Sequence, residues 1–170
     1  ACNEAEIAKI QMLFNQAKIT TDFRRTTTAA KNYKKLTGHT SSAIELEDGT
    51  IITAKSSELL GCSAALLLNV MKHLAGIDHS LKLLPQSLIE PIQYTKINYL
   101  GGRNPRLHTD EVLVALSVLS ENDENCRRAL QQLPELRGCQ VHCTVMLSDV
   151  DQKIFKKLGV NLTCEPILKK

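Results

Sequence analysis

The alternation of apolar and polar positions divides this chain into helical and strand-like stretches. Ile7, Ile10, Leu13 or Phe14, and Ala17 recur at three-to-four spacing, the stripe of an amphipathic helix over residues 3–17. Thr20 and Thr21 then offer a cap, and a second helix is predicted from Asp22 to Leu36, ending before Gly38. At Ser42 the period changes to two. Ile44 and Leu46 alternate with Glu45 and Glu47, Asp48-Gly49 supplies a turn that needs positive φ, and the chain returns from Ile51 to Ala54. The pattern is that of a β-hairpin.

The next stretch, Ser57 to Ile77, is apolar almost all round. Leu59, Leu60, Ala64, Ala65, Leu66, Leu67, Leu68, Val70, Met71 and Leu74 leave hardly any polar face, so the helix they form is buried on several sides. Ser57 and Glu58 suit its N-terminus, and Gly76 suits its end. The uncharged run from Leu59 to Val70 is too short to cross a bilayer. A short strand is expected at Leu81–Leu84 and a turn at Pro85–Ser87. Ser87 and Glu90 then form a capping box for a helix reaching about Leu100, with Pro91 in its first turn or so. Beyond a polar loop, Thr109–Ser120 reads as helix, although its valines also suit a strand. A helix over about Asp123–Leu133, a strand at Cys139–Met146, a helix from Ser148 to Gly159 and a strand at Val160–Cys164 complete the order.

Helices alternating with single strands after a hairpin predict an α/β fold, a three-layer α/β/α sandwich around a mixed five-stranded sheet. Its neighbours would be antiparallel at the hairpin and parallel beyond it. Residues 1–38 read as a helical appendage and residues 39–170 as the sandwich domain, together a fragment of a longer polypeptide.

Composition narrows the function classes. At 170 residues, 43% hydrophobic and 23% charged, the chain can bury a real core. A net charge of +3 implies no strong polyanion-binding field, and 4% aromatics with no Trp disfavour base stacking, so no nucleic-acid partner is expected. Nothing in the sequence reads as a membrane span or a secretory signal, and a cytoplasmic setting is expected. The six cysteines, Cys2, Cys62, Cys126, Cys139, Cys143 and Cys164, then read as reduced thiols rather than as staples.

Four stretches carry candidate chemistry. Cys139-x-x-His142-Cys143 looks like a metal-ligand cluster. On a strand, however, the two cysteines share a face roughly 13 Å apart while His142 points away, so they cannot grip one metal. Cys164 could approach one of them, but two cysteines make a poor zinc site, and buried thiols are the expected reading. The loop Gly101–Glu111 gathers two glycines, Arg103, Arg106, His108 and a helix start at Thr109, the composition of a phosphate or carboxylate site. The alternative is an Arg106 pairing with Asp110 or Glu111. Lys55 and Ser57, at the strand-to-helix turn, are further anion-binding candidates, although capping alone accounts for the serine. The basic residues of the second helix, Arg24, Arg25, Lys31, Lys34 and Lys35, read as a solvated face more readily than as an anion site. The motifs of P-loop, nucleophile-elbow and dinucleotide-binding enzymes are absent.

A DG hairpin, a buried helix, a strand, a Pro turn and a second helix resemble the cytidine-deaminase-like fold. The positions that hold zinc and move protons in active members fall near Cys62-Ser63-Ala64 and Pro85-Gln86-Ser87-Leu88-Ile89. At most one ligand stands there and the glutamate is replaced by alanine, so zinc-deaminase activity is not expected.

Several runs together, IELEDGTIIT, LLGCSAALLLN, IEPIQ, NPRLHTDEVL, QLPELRGCQVH and FKKLGVNLTCEP, resemble the C-terminal part of a bacterial protein family, domain of unknown function 1846, also called uncharacterised protein family 0371. The resemblance implies a longer polypeptide with a glycine- and lysine-containing segment suited to phosphate, and a deaminase-like topology for this part. No residue role transfers with it.

The sequence therefore supports a non-catalytic ligand-binding or assembly module. A small phosphate or carboxylate would bind at Arg103, Arg106, His108 and Thr109, with no metal and no cofactor. The alternatives are half of an active site of a nucleotide-dependent enzyme, completed by the N-terminal remainder of the polypeptide, and a dimerisation domain. A homo-oligomer is expected.

Overall fold

The computed structural model describes residues 4–18, 20 and 23–166. Thr21 and Asp22, expected to open the second helix, and Cys2 lie outside the described residues. The elements run α1 (Glu4–Ala17), α2 (Arg25–Thr37), β1 (Ser41–Glu45), β2 (Ile51–Lys55), α3 (Cys62–Leu74), α4 (Gln86–Asn98), α5 (Thr109–Leu119), α6 (Glu124–Leu130), β3 (Gln140–Cys143), α7 (Asp149–Lys157) and β4 (Asn161–Cys164). A 3-10 turn at Leu133–Leu136 joins α6 to β3.

The four strands form one mixed sheet in the order β2-β1-β3-β4. The hairpin turns where expected, with Gly49 at φ +81° and Glu45 opposite Ile51. β1 is antiparallel to β3 as well as to β2, and only β3 and β4 run parallel. The sheet thus has one parallel pair, not a parallel half.

Because strand side chains alternate, each face of the sheet has its own cover. On one face, Ala43, His142 and Thr163 stand in register, and α2 packs across β1, β2 and β3 with Thr26, Thr27 and Ala30 buried. Arg24, just before α2, donates to the Thr163 hydroxyl at 3.0 Å and to the Asn161 carbonyl at 2.8 Å. α2, grouped with α1 by the sequence reading, is thereby a layer of the sheet. On the other face, Ser42, Cys143 and Cys164 stand in register. Here α3 packs on β1 and β2, and Ser42 donates to the Cys62 carbonyl at 2.8 Å. Helices α5, α6 and α7 complete this side, since α3 touches α5 and α6, and α5 touches α7. Leu66, Leu67, Met71, Val112, Leu116 and Phe155 are all buried in the core between them.

The fifth strand expected at Leu81–Leu84 is not formed. The segment turns, with the Leu81 N–H on the Asp78 carbonyl at 3.1 Å, and Leu83 and Leu84 are both buried while Leu81 and Lys82 are exposed. Two adjacent buried leucines break the alternation a half-buried strand requires. The Lys72 ammonium occupies the Leu81 carbonyl at 3.2 Å and the His79 carbonyl at 2.9 Å, acceptors that a neighbouring strand would otherwise use. The four strands do not establish the cytidine-deaminase-like layout.

Two boundaries also move. α3 begins at Cys62, not Ser57, because the Ser57 hydroxyl accepts the Leu59 and Leu60 amides in a tight turn. Its end is as expected: Gly76 at φ +62° lets the Ile77 N–H reach the Lys72 carbonyl at 2.9 Å. α4 begins one residue after Pro85 with no side-chain cap, and Gln86 rather than Ser87 pairs with Glu90, at 2.6 Å. Pro91 consequently lies in its second turn. Residues 109–119 are helix.

Truncating the core and truncating the surface should differ sharply. Leu66→Ala, at a fully buried position, is expected to cost about 2–5 kcal/mol in urea denaturation. Leu36→Ala, at a side chain 81% exposed on α2, should stay within about 0.5 kcal/mol.

Candidate functional site

The loop after α4 is held in place before it reaches its polar cluster. The Gly102 N–H bonds the Lys96 carbonyl at 2.9 Å, and a Cβ at Gly102 would stand 2.9 Å from that same oxygen, so only glycine fits. The chain then crosses the segment preceding α3. Leu107 pairs with Leu60 as an isolated parallel bridge, its N–H on the Leu59 carbonyl at 2.9 Å and its carbonyl on the Gly61 N–H at 3.2 Å. Leu107 is fully buried. It anchors the next residue, His108, at the start of α5.

His108 is the N-cap of α5, and its backbone N–H bonds the Glu111 carboxylate at 2.7 Å. That carboxylate also takes the Lys96 ammonium at 2.8 Å, and Lys96 reaches the Arg106 carbonyl at 2.9 Å. Arg106 in turn donates its Nε–H to the Ser57 carbonyl at 2.6 Å. Arg106 therefore pairs with neither Asp110 nor Glu111, and Lys96 takes the acid.

Opposite this loop stands Asp151, in the first turn of α7. Its carboxylate is buried and accepts from the Thr109 N–H at 2.9 Å, the Thr109 hydroxyl at 2.8 Å, the Ser148 hydroxyl at 2.9 Å and His108 Nδ1 at 2.9 Å. Burial opposes ionisation of this carboxyl. The hydrogen bonds from His108, the Thr109 amide and hydroxyl, and Ser148 outweigh it and bring its pKa down to about 2. The same contact raises the His108 pKa above its usual value, against the cost of partial burial. A carboxylate on Nδ1 fixes the ring and leaves Nε2 as the nitrogen free to bond elsewhere. Among the described residues nothing bonds that Nε2.

The structure thus brings four of the six sequence candidates onto connected positions: Arg106 with Ser57, and His108 with Thr109. Lys55 ends β2, exposed, and Arg103 lies exposed in the loop, neither side chain with a hydrogen-bond partner among the described residues. With α3 starting at Cys62, Lys55 and Ser57 no longer flank a helix N-terminus. Sequence reasoning missed Lys96 and Asp151, because Lys96 meets Glu111 and Asp151 meets His108 only in the folded chain. Ser148-x-x-Asp151 was legible as a helix start, and Ser148 does accept the Asp151 N–H at 3.2 Å.

Elsewhere, His142 points away from Cys143, as strand geometry requires, and bonds the Thr163 hydroxyl at 2.9 Å and the Glu165 carboxylate at 3.3 Å. Among the described residues no group of three His, Cys, Asp or Glu side chains is arranged to hold a metal ion, and no helix is long and apolar enough to cross a membrane. A cleft of about 770 Å³ lies beside Lys34, Lys35 and Thr144 at the C-terminal half of α2. Lys34 there reaches the Thr144 carbonyl at 3.4 Å, and Lys31 pairs with Glu165 at 3.6 Å.

Comparison with known proteins gives this arrangement its context. The family model described as "Domain of unknown function DUF1846, C-terminal" matches residues 22–170. This chain belongs to the DUF1846 family. It is 52% identical to a UPF0371 protein of Corynebacterium urealyticum over 159 residues, covering 94% of this chain and 32% of the relative. A UPF0371 protein of Corynebacterium glutamicum is 54% identical over the same shares, and one of Streptococcus thermophilus is 42% identical over 96% of this chain and 33% of the relative. The chain thus spans about a third of the length of the curated relatives it matches. The DUF1846 match begins just before α2, in keeping with the place of α2 against the sheet.

Two shifted groups of this site contribute to the pH response of the DUF1846 domain. Asp151 is depressed on folding, so its stabilisation is present above its unfolded pKa of about 3.9 and is lost as pH falls toward 2. His108 is raised, so its share is present below about 6.5 and is lost as pH rises through its folded value. Urea denaturation should show greatest stability between these limits. Asp151→Asn should lose about 2 kcal/mol at pH 6 and flatten the acid limb. An acid limb unchanged by that substitution would contradict the assignment.

Proposed function

We propose that this domain binds a small anionic ligand, a phosphate or carboxylate, at the edge formed by His108 and Arg106 with Lys96 beside them. The observation that carries the reading is the His108–Asp151 contact. Asp151 is held by four donors, so it cannot turn away, and it keeps the imidazole oriented and inclined to carry a proton. A charged ring with a free N–H is a donor suited to an oxyanion, and a charge-assisted bond is about twice as strong as a neutral one. The Lys96 ammonium and the Arg106 guanidinium bring further positive charge to the same loop, and Arg103 offers more on its exposed side. Thr109 supports the site through Asp151 rather than by touching the ligand. Lys55 and Ser57 are not part of this proposed contact surface, apart from the Ser57 carbonyl that seats Arg106.

A second reading rests on the same ring. A histidine oriented through Nδ1 by a buried carboxylate is also the arrangement of a general acid–base group. In that case the domain supplies half of an active site, and the remaining two thirds of a protein as long as its relatives supplies the other half. The two readings share His108 and differ in whether the ligand reacts.

Titration of this chain with orthophosphate and with ADP, followed by amide chemical shifts, tests the binding. Saturable shifts centred on Arg106, His108 and Thr109 are expected. His108→Gln should weaken binding about tenfold, the worth of one charge-assisted hydrogen bond. Affinity should fall as pH rises through the His108 pKa. Absence of saturable shifts with either anion would remove the ligand reading. A full-length relative whose turnover survives the equivalent of His108→Gln would remove the catalytic one.

A further inference from the structure

Beneath α3 lies a group of side chains that the anion site does not use. Cys143 and Cys164 occupy the last paired positions of β3 and β4, directly opposite each other and on the same face of the sheet. Neighbouring strands run about 4.8 Å apart. That separation falls within the Cα distance a disulfide spans, about 4.4–6.8 Å. Cys62, the first residue of α3, meets the same face where the Ser42 hydroxyl bonds its carbonyl at 2.8 Å, and Cys143 is close enough to both other thiols for each to perturb its titration. All three are free thiols. Their exposure differs: Cys62 and Cys143 are buried, whereas Cys164, on the edge strand, is half-buried.

We propose that Cys143 and Cys164 form a peroxide-responsive dithiol, with Cys164 the sulfur that meets the oxidant and Cys143 the one that resolves it. The division of roles follows from access, since among the described residues β4 pairs with β3 alone and Cys164 is half-buried where Cys143 is buried. Its chemistry supports the same order. The neighbouring Cys143 thiol, helped by the Leu147 amide, outweighs burial and the Asp151 charge and brings the Cys164 thiol down to about 7. Cys143, buried between the other two thiols, is pushed well above the ordinary thiol value.

With a hydroperoxide as oxidant, the Cys164 thiolate attacks the distal oxygen. A sulfur–oxygen bond forms, the oxygen–oxygen bond breaks, and the departing alkoxide or hydroxide takes a proton from solvent. Cys164 is then a sulfenic acid. Cys143 attacks that sulfur, the sulfur–sulfur bond forms, and the hydroxyl leaves with the Cys143 proton as water. Each dithiol gives up two electrons and two hydrogens, and the hydroperoxide is reduced to an alcohol or water together with a second water. The reduced pair returns by exchange with an external thiol. This inference does not rest on the anion site.

Hydrogen peroxide added to the reduced chain, with peptide mapping of every cysteine, tests the proposal. The expected product has lost two hydrogens and carries a Cys143–Cys164 link, formed about tenfold faster than any oxidation of the buried Cys126. Cys164→Ser should abolish the link, and Cys143→Ser should leave a sulfenic acid at Cys164 that a dimedone probe captures. The wild-type map decides the matter if either variant fails to fold. A first-formed link between any other pair overturns the proposal. So does a Cys164 oxidised no faster than Cys126.

Discussion

The fold depends on the burial of β1 from both sides. Four of its five residues are buried, and the first three are serine, serine and alanine. Small side chains let helices approach a strand closely, and here α2 comes down on one face and α3 on the other. The polar cost of burying serines is met locally. Ser42 donates to the Cys62 carbonyl, and Ser41 donates to the His39 carbonyl while the Thr144 hydroxyl serves its backbone. Only a strand paired along both edges can be covered in this way without stranding its amides. The antiparallel contact with β3 supplies the second edge.

That constraint decides where polar chemistry is exposed. The sheet interior is taken by helices, so charged groups collect where helices begin around it. The first turns of α5 and α7 face each other across Asp151, whose carboxylate satisfies the Thr109 amide and hydroxyl and still fixes His108. One buried charge thus caps one helix, stands in the first turn of another and orients an imidazole, where each helix dipole favours its negative sign. A buried carboxylate with fewer donors would neutralise rather than serve in this way.

Much of the fold was legible where local rules act alone. Asp48-Gly49 gave the hairpin, Gly76 the end of α3, and Thr109 the start of α5, one residue after the His108 that caps it. The reading failed where tertiary contacts compete with local pattern. Leu81–Leu84 has strand composition, but Lys72 reaches from α3 to occupy its carbonyls. Ser57 has the chemistry of a cap, but it closes a turn five residues early. For the candidate site, the sequence singled out the Gly101–Glu111 loop and His108, which the structure sets beside Asp151. It could not show Asp151, 43 residues away, because a capping pattern says nothing of what else its acid will bind. The cysteine triad has the same origin: Cys62, Cys143 and Cys164 meet only through strand register and helix placement.

The single bridge between Leu60 and Leu107 joins these two regions mechanically. His108 follows Leu107 directly, and Cys62 follows Leu60 by two residues. Two backbone hydrogen bonds hold the crossing, at 2.9 and 3.2 Å. The imidazole on one chain segment and the first thiol of the triad on the other are therefore hung from a common rivet. A displacement of the loop that loosened this rivet would reach the start of α3 without passing through the sheet, so the surface and the interior of the domain share one point of leverage.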